Sequence, residues 1–288
     1  VDIFPVLNAI FEGIYGSSPY KSPTDMGVNM AGFGIVDDEA VRDAAKQEII
    51  RRYYHCLCDL KRGNSSKEIL YKLQLLMKQG GLTINDRAPL LFWPNRLDPV
   101  QKGCQLLTDI LYRITADYRD LGLQVAIVAN GEYQKYFRQI VDFHNLYDRV
   151  TVCDFDDGLS HLGFAASDFT LVPSLFEPCG LPQMTCQFYG SLPIVHDTGG
   201  LHDTVEMLNV GADSGNGFVF ETYDSNGLYW AIGEAMKFYR LPPEVRDRQI
   251  ARIMDAAGKR FNHDVTAAAY IATYEKMLNR PLIVNKNI

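Results

Sequence analysis

Short apolar runs alternate with helical stretches through most of this chain, from residue 90 onward. The runs predicted as strands cover residues 90–93, 125–129, 150–153, 169–172, 192–195 and 217–220. Helical periodicity lies between them, at 101–119, 133–145, 160–165, 181–189 and 202–207. Strands that are apolar throughout are buried on both faces, as in parallel sheets covered by helices. The pattern predicts a doubly wound, Rossmann-like α/β sheet of about six parallel strands, with ligands bound beyond their carboxyl ends.

The segments before and after this alternation lack strand character. Residues 1–36 scatter Pro and Gly among apolar side chains, which predicts a connecting segment. Residues 37–86 are helical in pattern and are interpreted as an addition to one domain that covers 37–288. Two helices are predicted after the last strand, at 224–239 and 243–260. These two helices and a third are expected to close the domain, and the third has one shared face with Ala267, Tyr270, Ile271 and Tyr274.

Composition and charge narrow the range of partners. Of the 288 residues, 47% are hydrophobic and 22% are charged, which is usual for a globular protein with a substantial core. The net charge of −7, without a long run of Lys or Arg, argues against nucleic acid. No apolar run reaches the length of a membrane span and no signal-type segment opens the sequence, so no membrane partner is expected. Cysteines without zinc spacing favour a reduced, cytoplasmic setting, or a plastid for a plant-type source. The chain begins at Val1, from which we infer a fragment.

Glu177 is the first candidate for a chemical role. It follows the apolar strand at 169–172 and lies between Phe176 and Pro178. A carboxylate in such surroundings is costly to bury without partners. A role in holding hydroxyl groups of a ligand therefore explains Glu177 better than a surface position does.

Two further segments follow neighbouring strands. Thr198-Gly199-Gly200 offers backbone N–H groups without a nearby β-carbon, which suits a phosphate or sugar oxygen; the alternative is a tight turn with a structural role. Arg96 follows the first strand, and Lys102 precedes the next helix, where an anion is favoured. The alternative for these two cations is an ordinary surface position.

These segments together resemble the glycogen and starch synthase family of retaining glucosyltransferases. The resemblance covers about residues 88–278 and is carried by Pro-Ser-Leu-Phe-Glu-Pro-Cys-Gly-Leu at 173–181 and His-Asp-Thr-Gly-Gly-Leu-His-Asp-Thr-Val at 196–205. Asn-Arg-Leu at 95–97, followed by Gln-Lys-Gly at 101–103, is similar to the family's pair of cationic turns. The resemblance implies the carboxy-terminal, donor-binding half of a two-Rossmann-domain (GT-B) enzyme.

The resemblance implies a role for each candidate. Arg96 and Lys102 would neutralise the diphosphate of a nucleotide sugar, and Glu177 would hold the hydroxyls of the transferred glucose. Phe155 would lie against the base, the alternative being that it packs within its own loop. Ser160-His161 matches the family's Ser-His pair. The other implied substrate-binding residues are Cys179, Gly180, Leu181, Thr198, Gly199 and Gly200.

The chain departs from the family pattern at three places, and from the pattern of the wider GT-B class at a fourth. The Arg96–Lys102 interval is about one residue longer than usual, and Leu162 stands where an arginine often follows the Ser-His pair. Thr185 occupies the place at which many relatives in the wider GT-B class have a second glutamate, which agrees with glycogen and starch synthases. Asn130-Gly131 replaces a glycine-rich turn and is interpreted as a tight strand-to-helix turn.

The implied reaction is the transfer of glucose from ADP-glucose or UDP-glucose to the non-reducing end of an α-1,4-glucan, with retention and without a metal or other cofactor. The glucan would bind through an amino-terminal domain, and without that domain the chain should transfer little. Two alternatives stay open at this point. One is another retaining nucleotide-sugar glycosyltransferase, and the other is a non-catalytic nucleotide- or glucan-binding module.

Overall fold

The structure of the chain, a computed structural model, describes residue 82 and residues 87–155 and 157–281. The predicted connecting segment at 1–36 lies outside the described residues. The helical addition predicted at 37–86 also lies outside them, except for the buried Leu82. Among the described residues, no helix combines the length and the apolar character that a membrane span requires.

Strands and helices alternate along the described residues as the sequence predicts. The strands are β1 (Leu90–Trp93), β2 (Gln124–Val128), β3 (Val150–Cys153), β4 (Phe169–Val172), β5 (Leu192–His196) and β6 (Phe218–Phe220). The helices are α1 (Cys104–Asp117), α2 (Gln134–His144), α3 (Asp157–Ala166), α4 (Pro182–Phe188), α5 (Gly199–Thr204), α6 (Ser225–Tyr239), α7 (Pro243–Arg260) and α8 (His263–Leu278). Predicted and observed bounds differ by one to three residues at several ends.

All six strands are parallel, in the order β3-β2-β1-β4-β5-β6. The central strand β1 pairs with β2 on one side and with β4 on the other, through Leu91 opposite Val125 and Phe169. The predicted doubly wound parallel sheet is confirmed. Its strand order reverses between β1 and β4, and a crevice opens at such a point beyond the carboxyl ends of the strands.

Helices cover both faces of the sheet. Helices α1, α2 and α6 pack together on one face, while α3, α4 and α7 lie on the other. Side chains of β1 alternate accordingly: Leu91 and Trp93 join the large core on the first face, whereas Phe92 meets Phe164 of α3 edge-on, with ring centroids 5.2 Å apart. Both faces bury apolar side chains, which explains why the strands read as continuous apolar runs.

The last helix differs from its prediction. Helix α8 begins normally, because the Asn262 side chain accepts a hydrogen bond from the Val265 N–H at 2.9 Å. None of its residues is buried, and Tyr270 and Tyr274 are 60% and 50% exposed. Within the described residues, the prediction that this helix closes the domain is therefore wrong. A stripe at helical spacing predicts a helix, but it does not specify which surface covers that stripe.

Candidate functional site

The loops that follow β1 and β4 are joined at the switch point of the sheet. The Leu175 N–H donates to the Gln101 carbonyl at 2.8 Å. Gly103, at φ +71°, lies so close to the Pro173 carbonyl that a β-carbon there would overlap its oxygen. Glycine is required at this position by both the backbone angle and the close approach. Because of these contacts, the predicted cationic turn lies beside the predicted acidic turn.

Lys102 and Glu177 form an ion pair at this junction. Lys102 Nζ lies 2.5 Å from Glu177 Oε2, and the two side chains are only 11% and 10% exposed. Ser174 Oγ donates to the same carboxylate oxygen at 3.1 Å. Among the described residues, Glu177 Oε1 accepts no hydrogen bond. The pair therefore presents a carboxylate oxygen and an ammonium group to the crevice, at the closeness that charge-assisted hydrogen bonds show.

The reach of Lys102 depends on a compact turn at Asp98. The Asp98 carboxylate accepts the N–H groups of Val100 and Gln101 at 2.9 and 2.7 Å. These hydrogen bonds, that of Gln101 first, hold the pKa of Asp98 below its usual value. Cys104 donates its thiol to the Asp98 carbonyl at 3.3 Å, and burial raises the pKa of this thiol to about 12. This turn accommodates the longer interval between Arg96 and Lys102, so that Lys102 still reaches Glu177.

His196 supports the acidic turn from behind, and the sequence did not single it out as a site residue. Its Nδ1 lies 2.9 Å from the Ser174 carbonyl oxygen. The ring is buried and packs against Phe220 and Tyr223, with centroids 5.4 and 4.8 Å away. The available signal was its place at the end of β5, on the same sheet edge as Glu177. His196 thus fixes the backbone of the residue that holds the Glu177 carboxylate.

The glycine turn before α5 touches the same acidic segment. Gly199, at φ +48°, faces the Glu177 carbonyl so closely that a β-carbon would overlap it, and the Gly200 N–H donates to that carbonyl at 2.8 Å. The Gly200 amide is therefore engaged within the protein, which differs from the expectation of two bare amides. Thr198 and Gly199 donate their N–H groups to no described residue. Gly199 and Gly200 thus have a structural role in this turn. The ligand-facing role of the Thr198 and Gly199 amides stays a prediction.

The loop from Cys179 to Leu181 keeps its carbonyls bound and its amides open. The buried Gln183 side chain donates to the Cys179 and Gly180 carbonyls, both at 2.9 Å. The N–H groups of Cys179, Gly180 and Leu181 donate to no described group. Cys179 is exposed and Leu181 is 68% exposed. The amides that the resemblance assigns to the ligand are therefore not engaged by any described group of the protein.

Arg96 and Phe155 lie on the exposed rim of the crevice. Arg96 is exposed and forms no ion pair within the described part of the chain. The next residue, Leu97, donates its N–H to the Asn130 carbonyl at 2.9 Å. Phe155 is 50% exposed, and its N–H donates to Asn130 Oδ1 at 2.9 Å. The Asn130-Gly131 turn thus touches both rim segments through its backbone and its amide.

Ser160 and His161 lie inside α3 rather than at its start, since that helix begins at Asp157. Ser160 is buried. His161 Nδ1 lies 3.3 Å from the hydroxyl of Tyr189, which is a fully buried residue at the end of α4. The structure connects His161 to the packing of α3 against α4, and it shows no contact with Lys102 or Glu177.

The fold and the crevice together define a class: a doubly wound α/β domain with cations, a carboxylate and open amides at its switch point, where ligands of such sheets bind. The glycosyl transferases group 1 family matches residues 78–252, and this chain belongs to that family. Residues 1–81 match a second family, described as a domain of unknown function, DUF1846, N-terminal.

Similar proteins agree with the family. The chain is 36% identical to a glycogen synthase of Clostridium perfringens (73% of this chain, 42% of the relative) and 33% identical to one of Clostridium kluyveri (85% and 49%). The catalytic domain of starch synthase IV from Arabidopsis thaliana, bound to ADP and acarbose, superposes with a TM-score of 0.62 and 30% identity over 75% of this chain and 43% of that one. The chain thus spans less than half the length of these relatives.

These comparisons confirm two expectations from the sequence. The resemblance to glycogen and starch synthases is confirmed, and so is the prediction of one half of a GT-B fold. A complex of Anabaena Alr3699/HepE with UDP and glucose shares the fold, with a TM-score of 0.53 and 21% identity.

Proposed function

We propose that this chain is the donor-binding half of a cytoplasmic glycogen or starch synthase-type glucosyltransferase. It binds ADP-glucose or UDP-glucose, and the glucose is transferred with retention to the non-reducing end of an α-1,4-glucan. The observation that carries the proposal is the buried Lys102–Glu177 pair, held by Ser174 at the point where the strand order reverses. A charged pair at 2.5 Å in a crevice has a ligand-binding role more readily than a role in stability, because its desolvation cost is high.

In this proposal, some residues of the crevice bind the sugar and others bind the diphosphate. Glu177 Oε1 accepts hydroxyl groups of the glucose, while Oε2 stays bound to Lys102 and Ser174. An ammonium group has three donors, so Lys102 can bind a phosphate oxygen without leaving Glu177. Arg96, the open Thr198 and Gly199 amides, and the Cys179–Leu181 loop complete the diphosphate and sugar contacts. Phe155 stacks on the nucleotide base.

Catalysis then rests on charge stabilisation. The diphosphate leaves with its electron pair while the sugar becomes oxocarbenium-like, and Arg96 and Lys102 offset the negative charge that develops on the leaving oxygen. One preorganised donor of this kind contributes about 3 kcal/mol to the transition state. The glucan acceptor binds through a second, amino-terminal domain, so the chain alone binds the donor and transfers little glucose.

Calorimetric titration of the chain with ADP, UDP, ADP-glucose and UDP-glucose tests the proposal. We expect a nucleotide sugar to bind, and Glu177→Gln to remove the affinity that glucose adds to the nucleotide. Glu206→Gln serves as the matched control, since Glu206 is an exposed carboxylate outside the crevice. Preference for adenine or uracil identifies the donor. If the chain binds none of the four ligands, the proposed function is wrong and the chain is a module without donor binding. If Glu177→Gln and the unmodified chain bind the nucleotide sugar with equal affinity, the role of Glu177 is contradicted.

A further inference from the structure

A second concave surface lies between α1 and α2, and none of the donor-site residues described above lines it. This α1–α2 groove has a volume of about 840 Å³ and is broadly open to solvent. It follows α2 from its N-cap to its last residue, a length of about 16 Å at the rise of an α-helix. The aromatic and polar lining residues on α2 and its N-cap are Tyr133, Tyr136, Gln139, Asp142, Phe143 and His144. Thr108 and Asp109 of α1 complete the polar lining.

The rings of the groove are exposed and hold one another in place. Phe143 is 85% exposed and Tyr136 is 44% exposed. Tyr112 of α1 stacks on His144 with centroids 4.0 Å apart, and Phe143 meets the same imidazole edge-on at 4.8 Å. Rings fixed in this way lose little freedom when a ligand binds, so they can act as a preformed platform.

The polar groups of the groove select a neutral ligand rich in hydroxyl groups. The Gln139 amide both donates and accepts, and the Asp142 carboxylate accepts from hydroxyls, as it already does from Tyr147 at 2.8 Å. Two carboxylates, Asp109 and Asp142, line the groove, while one ammonium, that of Lys135, lies 4.9 Å from the Tyr136 ring. This balance disfavours a phosphorylated ligand. A sugar chain presents C–H faces to aromatic rings and hydroxyls to polar side chains.

We propose that the α1–α2 groove is a second carbohydrate site, which binds a linear segment of neutral α-glucan a few glucose units long. The inference rests on the proposed function, in which an α-glucan is the acceptor. A polymer held at this groove stays near the crevice, and its free ends have a raised effective concentration there. Tyr136 and Phe143 stack on the sugar rings, and Gln139 and Asp142 bind the hydroxyls.

Titration of the chain with maltoheptaose tests this site. The double variant Tyr136→Ser/Phe143→Ser removes two exposed rings of the groove, and Tyr270→Ser/Tyr274→Ser removes two exposed rings of α8 as a matched control. We expect the groove variant to bind maltoheptaose about tenfold more weakly or worse, because each stacked ring contributes to affinity. The control variant should bind as the unmodified chain does.

Parallel titration with the nucleotide sugars separates this inference from the proposed function. If the chain binds a nucleotide sugar but no maltoheptaose, the second site is refuted and the proposed function stands. Maltoheptaose binding that is unchanged in the groove variant also refutes it, since the glucan then binds elsewhere. Light scattering tests whether a second copy of the chain occupies the groove instead. If the unmodified chain is a dimer that binds no glucan, and the groove variant is a monomer, the groove is a dimer interface and the proposal is overturned.

Discussion

The acidic side and the rim of the crevice differ in how firmly the protein holds their side chains. Glu177 is buried, paired with Lys102, and supported by Ser174 and His196. Arg96 and Phe155 are exposed, and only the backbone around them is fixed. Under the proposed function, the difference means that the geometry for the sugar exists before any ligand binds, whereas the side chains for the diphosphate and the base become fixed on the ligand. Substitutions on the acidic side should therefore lower the stability of the fold more than substitutions on the rim do.

The largest expected effect compares the two cations. Lys102→Met leaves a buried carboxylate without its partner and should lower the free energy of unfolding by about 3 kcal/mol. Arg96→Met removes an exposed cation and should change it by no more than about 0.5 kcal/mol. Urea denaturation of the two variants measures both values.

A second substitution sharpens this test. Adding Glu177→Gln to Lys102→Met removes the unpaired charge and should recover part of the lost stability, as a double-mutant cycle reports. If Lys102→Met and Arg96→Met lowered the free energy of unfolding equally, the acidic side and the rim of the crevice would be held equally firmly, and the comparison would fail.

The next effect concerns the contact that joins the two loops. Gly103→Ala places a β-carbon on the Pro173 carbonyl at a left-handed backbone angle and should cost about 2 kcal/mol. Gly211→Ala is the matched control, because its β-carbon would meet only an Asn209 side-chain oxygen at an ordinary 3.6 Å. Thermal denaturation compares the two, and similar melting temperatures would contradict the tight junction.

A smaller effect is expected at His196, which acts on Glu177 through Ser174. His196→Ala should weaken nucleotide-sugar binding about tenfold, because the acidic turn loses its support, and leave the affinity for the nucleotide diphosphate unchanged. His196→Asn keeps a donor near the Ser174 carbonyl and should restore part of the affinity. Calorimetry measures the affinity for both ligands. An equal loss of affinity for both would indicate that the substitution disrupts the site in general rather than the position of Glu177.

The smallest effect is the pH dependence of an exposed pair in the glycine turn. His202 Nδ1 lies 2.7 Å from Asp197, whose hydrogen bond raises the pKa of His202 above the ordinary 6.5. The folded state binds this proton more tightly than the unfolded state, so the contribution is complete below pH 6.5 and is lost as pH rises through the raised pKa. The melting temperatures of the unmodified chain and His202→Gln should therefore differ at acidic pH and converge at alkaline pH. A difference that grows with pH would contradict the assignment.

Much of the fold was predictable because burial on both faces marks each strand in the sequence, and Glu177 was predictable because a carboxylate beside an apolar strand needs a partner. The identity of that partner was not: Lys102 reaches Glu177 only through the Asp98 turn, whose shape depends on hydrogen bonds to its own backbone. His196 was missed because its contact is with a backbone carbonyl, which leaves no trace in residue type. The exposed α8 and the α1–α2 groove depend on which surfaces meet, and helical spacing does not encode that.

Asn130 joins the two segments that form the rim of the crevice. Its carbonyl binds the Leu97 N–H, next to Arg96, while its side-chain oxygen binds the Phe155 N–H. One short residue therefore sets the separation between the guanidinium turn and the aromatic ring. Under the proposed function, that separation is the span from phosphate to base in a bound nucleotide. Lengthening this side chain by one methylene would then shift the ring relative to the cation and change the fit of the nucleotide, although the residue itself need not touch the ligand.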